Sequence, residues 1–153
     1  MDKKKILISV DLCKLAADVV AYGCRLATAL GAEATIIHAV PSVMSWKGYE
    51  PSLPAGLEDE MEHTAQKKLA DFVAYAASHD PSVKDCVKGL VVVSGNPTEA
   101  VTAYASEHHF SMIVVGYRGQ SAIERLLVGS TASSIARYAE GSVLIYRPGG
   151  DNI

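Results

Sequence analysis

Residues 111–135 read SMIVVGYRGQSAIERLLVGSTASSI, and their pattern sets the expected fold class. Met112-Ile113-Val114-Val115 is an uninterrupted run of apolar, mostly β-branched residues. A run without polar alternation predicts a strand covered on both faces, as in a parallel sheet. Gly116 closes it, Gly119 follows three residues later, and Gly129-Ser130-Thr131 begins ten residues after that. Glycine lets a backbone approach a ligand closely and accepts positive φ. Ser130 is placed to cap a helix running from about Thr131 to Tyr138, whose first N–H groups lack intrahelical partners. Free N–H donors at the positive end of a helix form a phosphate site. Turn glycines alone would account for the spacing, so the strand-loop-helix context is what favours the phosphate reading. The loop is neither a P-loop, since G-x4-G-K-[ST] is absent, nor a dinucleotide fingerprint, since G-x-G-x-x-G is not matched.

The chain on either side supplies the scaffold. KILISV at 5–10 predicts a first strand ending at Asp11. Leu15, Val19, Tyr22, Leu26 and Leu30 recur at three- and four-residue steps, predicting an amphipathic helix over about 14–30 that stops at Gly31. ATIIHAV at 34–40 predicts a second strand closed by Pro41, completing a right-handed βαβ unit. Residues 41–56, with three prolines, two glycines, Trp46 and Tyr49, read as a long loop. Met61, Ala65, Leu69, Phe72, Val73 and Ala76 form one stripe of a helix over 57–79, broken by Asp80-Pro81-Ser82. A third strand at 87–93 carries Lys88 and Gly89, which suit an edge. Gly95-Asn96-Pro97 is a turn into a helix over 98–108, with Pro97 and Glu99 suited to its start. The last strand covers 143–146, from Val143 to Tyr146, before a Pro-Gly-Gly tail.

This alternation predicts an α/β fold: an open five-stranded parallel sheet with helices on both faces, Rossmann-like. With strand order 3-2-1-4-5, the order reverses between the first and fourth strands, and ligands bind beyond the carboxyl ends at that point. Asp11 and Gly116 end those two strands.

Bulk properties narrow the classes. The 153 residues, 49% hydrophobic and 20% charged, suit one domain with a full core. We expect it over 1–148, with 149–153 as a tail. A net charge of -3 argues against a nucleic-acid protein, and Lys3-Lys4-Lys5 reads as a solvated terminus. No apolar run approaches the ~20 residues of a membrane span. Three cysteines without CxxC, and no signal-peptide pattern, point to the cytoplasm.

The spacing G-x2-G-x9-G-S, here Gly116-Tyr117-Arg118-Gly119 through Gly129-Ser130, resembles the nucleotide-binding signature of the universal stress protein family. The resemblance runs along nearly the whole chain, in KILISVD, LATALGAEATIIHAV, SGNPTEAVTAYASEHHFSMIVVGYRGQS and ERLLVGSTASSIARYAEGSVLIYR. In ATP-binding members it implies that Asp11 and the backbone of Val40 hold adenine, with Ser9 and Val10 lining the same wall. It implies that Gly116, Arg118, Gly119, Gly129, Ser130 and Thr131 wrap ribose and phosphates. It also implies a homodimer formed by antiparallel pairing of the strand from Val143 to Tyr146. Two positions depart from the pattern. Leu12-Cys13 stands where the family often has Gly-Ser or a similar small polar pair, and Gly141-Ser142 replaces the usual Cys-Pro.

Bland readings stand beside several of these. Asp11 suits either a base contact or a cap for the first helix, and Arg118 either a phosphate fork or a solvated side chain. His38, inside an apolar strand, reads as a hydrogen-bonded core histidine. His63, His79, His108 and His109 lack metal-ligand spacing. Cys13 reads as a small buried hydrophobe, and Glu124 and Arg125 as surface residues. Hydrolysis needs a positioned water, a base and cations on the γ-phosphate, and the loop offers no lysine and no assignable base. The expectation is an ATP-binding stress regulator or sensor with little hydrolysis, the nucleotide carried with or without Mg2+ or Mn2+. The alternative is a nucleotide-free dimeric interaction module of the same fold.

Overall fold

The computed structural model describes residues 3–12, 16–40, 42, 54–117 and 128–147. Successive strand residues point to opposite faces, and here both sets are apolar. Elements follow the order β1 (Lys5–Ser9), α1 (Ala16–Ala29), β2 (Glu33–Val40), α2 (Leu57–His79), α3 (Ser82–Cys86), β3 (Val87–Ser94), α4 (Pro97–Glu107), β4 (Met112–Gly116), α5 (Ser130–Tyr138) and β5 (Ser142–Tyr146). The strands form one five-stranded sheet in the order β3-β2-β1-β4-β5, and every pairing is parallel. The predicted fold class and strand order both hold.

Ile6, Ile8, Ala34 and Ile36 face one core, packed against Val20 and Cys24 of α1, Leu69 of α2 and Val83 of α3. Leu7, Ile37, Ile113 and Val115 face the other, against Val101 and Ala105 of α4 and Ala132 and Ile135 of α5. Burying side chains of this size contributes about 1.5–3 kcal/mol each. No helix among the described residues is long and apolar enough to cross a membrane.

Two features go beyond the expected elements. The break after α2 contains a further helix, α3. Asp80 closes α2, its N–H donating to Ala76 O at 2.9 Å. Its carboxylate then accepts from the Ser82 hydroxyl at 2.6 Å and the Ser82 N–H at 3.1 Å, starting the next turn. Ser82, with Arg25 at 3.6 Å, holds the Asp80 carboxyl below its ordinary range. A five-residue helix is too short for periodicity to reveal. The second feature is a β-bulge in the edge strand β3. Ala34 pairs with Val87 but Thr35 pairs with Gly89, leaving Lys88 as the extra residue. Lys88 therefore protects an exposed edge, as its sequence position suggested.

Helix α1 lies close to the sheet because two glycines allow it. A Cβ on Gly23 would sit 2.5 Å from Ile8 Cδ1, and one on Gly116 would sit 2.9 Å from Val19 Cγ2. Deeper in the same layer, Cys24 and Cys86 are buried free thiols in hydrogen-bond contact with each other. Burial pushes the Cys24 thiol up, with Cys86 and Asp80 adding and Arg25 opposing. Cys13 and most of the expected 41–56 loop, including Trp46 and Tyr49, lie outside the described residues.

Gly23→Ala is expected to lower Tm, since overpacking costs about 1–3 kcal/mol against a helix-propensity gain of ~1 kcal/mol. A Tm at or above wild type would show that Ile8 steps aside. Cys24 is expected to resist iodoacetamide in the native protein at pH 8 and to react once unfolded, because the thiolate is the nucleophile. Peptide mapping of native and urea-treated samples measures this, and prompt native labelling of Cys24 would contradict the burial.

Candidate functional site

Strand β1 delivers Ser9, Val10 and Asp11 to the carboxyl end of the sheet. Ser9 is half-buried and sits between Ile37 of β2 and Val115 of β4. Val10 is buried, and its N–H donates to Ile37 O at 3.0 Å. Its carbonyl lies 2.7 Å from Nδ1 of half-buried His38. A carbonyl only accepts, so Nδ1 carries the proton and donates. His38 is thus hydrogen-bonded as expected, but to the strand end rather than deep in the core. Asp11 is exposed. Leu12 follows at φ 59, the left-handed region, which costs a non-glycine residue about 1–2 kcal/mol. Its side chain packs, partly buried, against the α1-side core. A glycine would take this conformation without that cost. This chain keeps leucine and holds it by packing.

On one side of β1 lies Val40, the last residue of β2, buried and paired with Ser94. Its carbonyl accepts from Gly95 N–H at 2.8 Å. On the other side lies Gly116, which ends β4 opposite Tyr146. Beyond it Tyr117 N–H donates to Tyr146 O at 2.6 Å. Tyr146 stacks on Tyr22 of α1 at 4.5 Å, and the Arg147 guanidinium lies 4.8 Å from the centre of the Tyr117 ring. These aromatic contacts brace the far wall of the crevice.

The start of α5 differs by one residue from expectation. Gly129, not Ser130, is the N-cap, and Ser130 is the first helical residue. Gly129 has φ -55 and ψ 149, which any residue adopts, so positive φ is not the reason for glycine here. The Gly129 carbonyl accepts from Ser133 N–H at 2.9 Å. As a glycine, this cap offers no side-chain acceptor of its own. At α4, by contrast, Asn96 Oδ1 accepts from the N–H groups of Thr98 and Glu99 at 3.0 and 3.2 Å. A glycine cap leaves the first-turn donors of α5 to an outside acceptor. Exposed Ser130 and half-buried Thr131 add hydroxyls there.

The sheet thus brings Ser9, Val10, Asp11, Val40 and Gly116 to one end of adjacent strands. Helix α5 joins them, since Ala132 in its first turn shares a buried cluster with Val115. Arg118 and Gly119 lie outside the described residues. Residue patterns alone did not single out Leu12 for its conformation or His38 for its partner, because both are settled by neighbours distant in sequence. Among the described residues no cluster of three or more His, Cys, Asp or Glu could hold a metal ion. A cavity of 230 Å³ between α4 and the starts of β4 and β5, bordered by Ser106, His109 and Glu140, lies at the opposite end of the strands. Ligands in open α/β sheets do not bind at that end, and there Ser106 Oγ donates to Glu140 at 2.8 Å.

Comparison with known proteins agrees with this geometry. The model of the universal stress protein family matches residues 3–147. A universal stress protein of Mycolicibacterium smegmatis is 31% identical over 148 residues, which cover 92% of this chain and 47% of that one. The chain thus spans about half the length of that relative. Among solved structures, a universal stress protein in complex with cAMP has TM-score 0.64 at 21% identity, over 94% of this chain and 96% of that one. Another, from Archaeoglobus fulgidus in complex with dAMP, has TM-score 0.63 at 20% identity, over 95% and 98%. With a family match along almost its whole length, the chain belongs to the universal stress protein family.

Proposed function

We propose that this protein binds ATP at the crevice between β1 and β4 and acts as a nucleotide-dependent stress regulator or sensor with little hydrolysis of its own. The start of α5, whose cap Gly129 has no side-chain acceptor of its own, carries the reading. It offers backbone donors and the helix dipole to phosphates. Relatives of this fold in complex with cAMP and dAMP support an adenine nucleotide. In this reading Asp11 and the Val40 backbone hold the base, and Ser9 and Val10 line its wall. Gly116, Arg118, Gly119, Gly129, Ser130 and Thr131 take ribose and phosphates, with Mg2+ or Mn2+ riding on the phosphates. One domain spans 1–148 and works in the cytoplasm, without nucleic acid or membrane. Slow hydrolysis follows from the sequence of the glycine loop, which offers no lysine and no assignable base for an attacking water.

A second reading, a nucleotide-free interaction module, is favoured by Leu12 at positive φ where relatives often carry a small residue. Mass spectrometry of gently purified, then denatured, protein separates the two, since co-purifying ATP or AMP contradicts the second. Dimerisation through β5 suits either reading: Val143, Leu144 and Ile145 of this edge strand are only half-buried.

A fluorescent ATP analogue is expected to bind wild type saturably. Gly129→Val is expected to abolish binding by blocking backbone approach, and Ser130→Ala to weaken it by about 1.5–3 kcal/mol. No saturable binding to folded wild type would sink the proposal. Val143→Lys, a charge on the pairing edge, is expected to give a monomer in sedimentation with unchanged circular dichroism; a persistent dimer would place the interface elsewhere.

A further inference from the structure

We propose that Cys24 and Cys86 are a modification site: a peroxide converts the two thiols of the folded protein into one intramolecular disulfide that locks α3 against α1. The proposal does not depend on the nucleotide site. Cys24 lies within α1 and Cys86 is the last residue of α3, so folding brings together sulfurs from two separate elements. Both are free and buried, in one apolar cluster with Val20, Leu69 and Val83, and in hydrogen-bond contact with each other. A disulfide forms only where two cysteine backbones already stand close with their side chains turned toward one another. Thiols in contact meet that condition, so bonding asks only for a small displacement within the cluster.

The surroundings set the order of events. Cys24 has no exposed surface, whereas Cys86 keeps 7%. Burial pushes the Cys24 thiol up, Cys86 and Asp80 add to this, and Arg25 opposes it. Cys24 therefore holds its proton behind its neighbours, and Cys86 is the sulfur that a small oxidant reaches first. Access comes by way of α3, a helix of five residues. Its start is held by Asp80, which accepts from Ser82 and pairs with Arg25 of α1 at 3.6 Å. A partly exposed ion pair is a weak tie, so this short helix opens locally more readily than the sheet beneath it.

In the first step the Cys86 thiolate attacks one oxygen of hydrogen peroxide. An S–O bond forms, the O–O bond breaks, and the departing hydroxide takes up the proton that Cys86 released, leaving a sulfenic acid and water. In the second step the Cys24 sulfur attacks the Cys86 sulfur. The S–S bond forms, the S–O bond breaks, and hydroxide leaves with the Cys24 proton as a second water. Two thiols lose two electrons in all, and one peroxide is reduced to two waters. Contact between the sulfurs puts this closure ahead of further oxidation at Cys86. Because β3 follows Cys86 directly, the bond fastens the entry of the edge strand to a core helix.

Peroxide treatment of the native protein tests it, followed by alkylation of the remaining thiols in urea and peptide mapping by mass spectrometry. One cross-link is expected, joining the peptides of Cys24 and Cys86 and leaving Cys13 out. The Tm of the oxidised protein is expected to rise by at least about 5 °C, since closing a long loop constrains the unfolded chain. Cys24→Ala is expected to stop at the first step, with Cys86 captured as its sulfenic acid by dimedone, and Cys86→Ala to leave Cys24 reduced. If either variant does not fold, the wild-type cross-link decides alone. Free Cys24 and Cys86 in folded wild type after peroxide would overturn the proposal, as would a cross-link that appears only in urea or one that pairs either residue with Cys13. A Cys24–Cys86 bond with an unchanged or lowered Tm would overturn the lock.

Discussion

Strand β1 is hydrogen-bonded along both edges and buried on both faces, and the rest of the molecule is arranged by that constraint. Its neighbours β2 and β4 run parallel to it, so each connection must cross over a face of the sheet and return. The chain therefore leaves β1 over one face toward β2 and comes back over the other to β4. The two halves diverge at the carboxyl end of β1. The crevice is a consequence of winding direction, before any side chain in it is considered.

Close packing sets how narrow that crevice is. Helix α1 lies against β1 and β4 through Gly23 and Gly116, and the Tyr22–Tyr146 stack ties it to the end of β5. Gly116 thus has a reason to be glycine that involves no ligand: a Cβ there would strike Val19. The same absence of a side chain leaves its backbone open toward the crevice. Packing by itself accounts for glycine at that point, and spacing in the sequence could not separate that demand from one made by a ligand.

Gly129 differs. Its φ of -55 is available to any residue, so conformation does not require glycine there. What glycine leaves behind is an α5 start without a side-chain acceptor, where Asn96 closes the comparable end of α4. An anion is favoured at such an end by the aligned peptide dipoles.

Local pattern alone determined most of the fold. Apolar runs at 6–8, 36–37 and 112–115 mark strands buried on both faces, three- and four-residue spacing marks the long helices, and their alternation dictates parallel pairing. Lys88 and Gly89 marked the edge. These were legible because each depends on residues near in sequence. The hydrogen bond from His38 to Val10, the contact between Cys24 and Cys86, the Gly116–Val19 approach and the left-handed turn at Leu12 were not. The partners of His38, Cys24 and Gly116 lie tens of residues away, and Leu12 is held by a core that exists only once α1 has docked. Periodicity records which face of an element is apolar; which atoms meet across two faces is decided only when they pack.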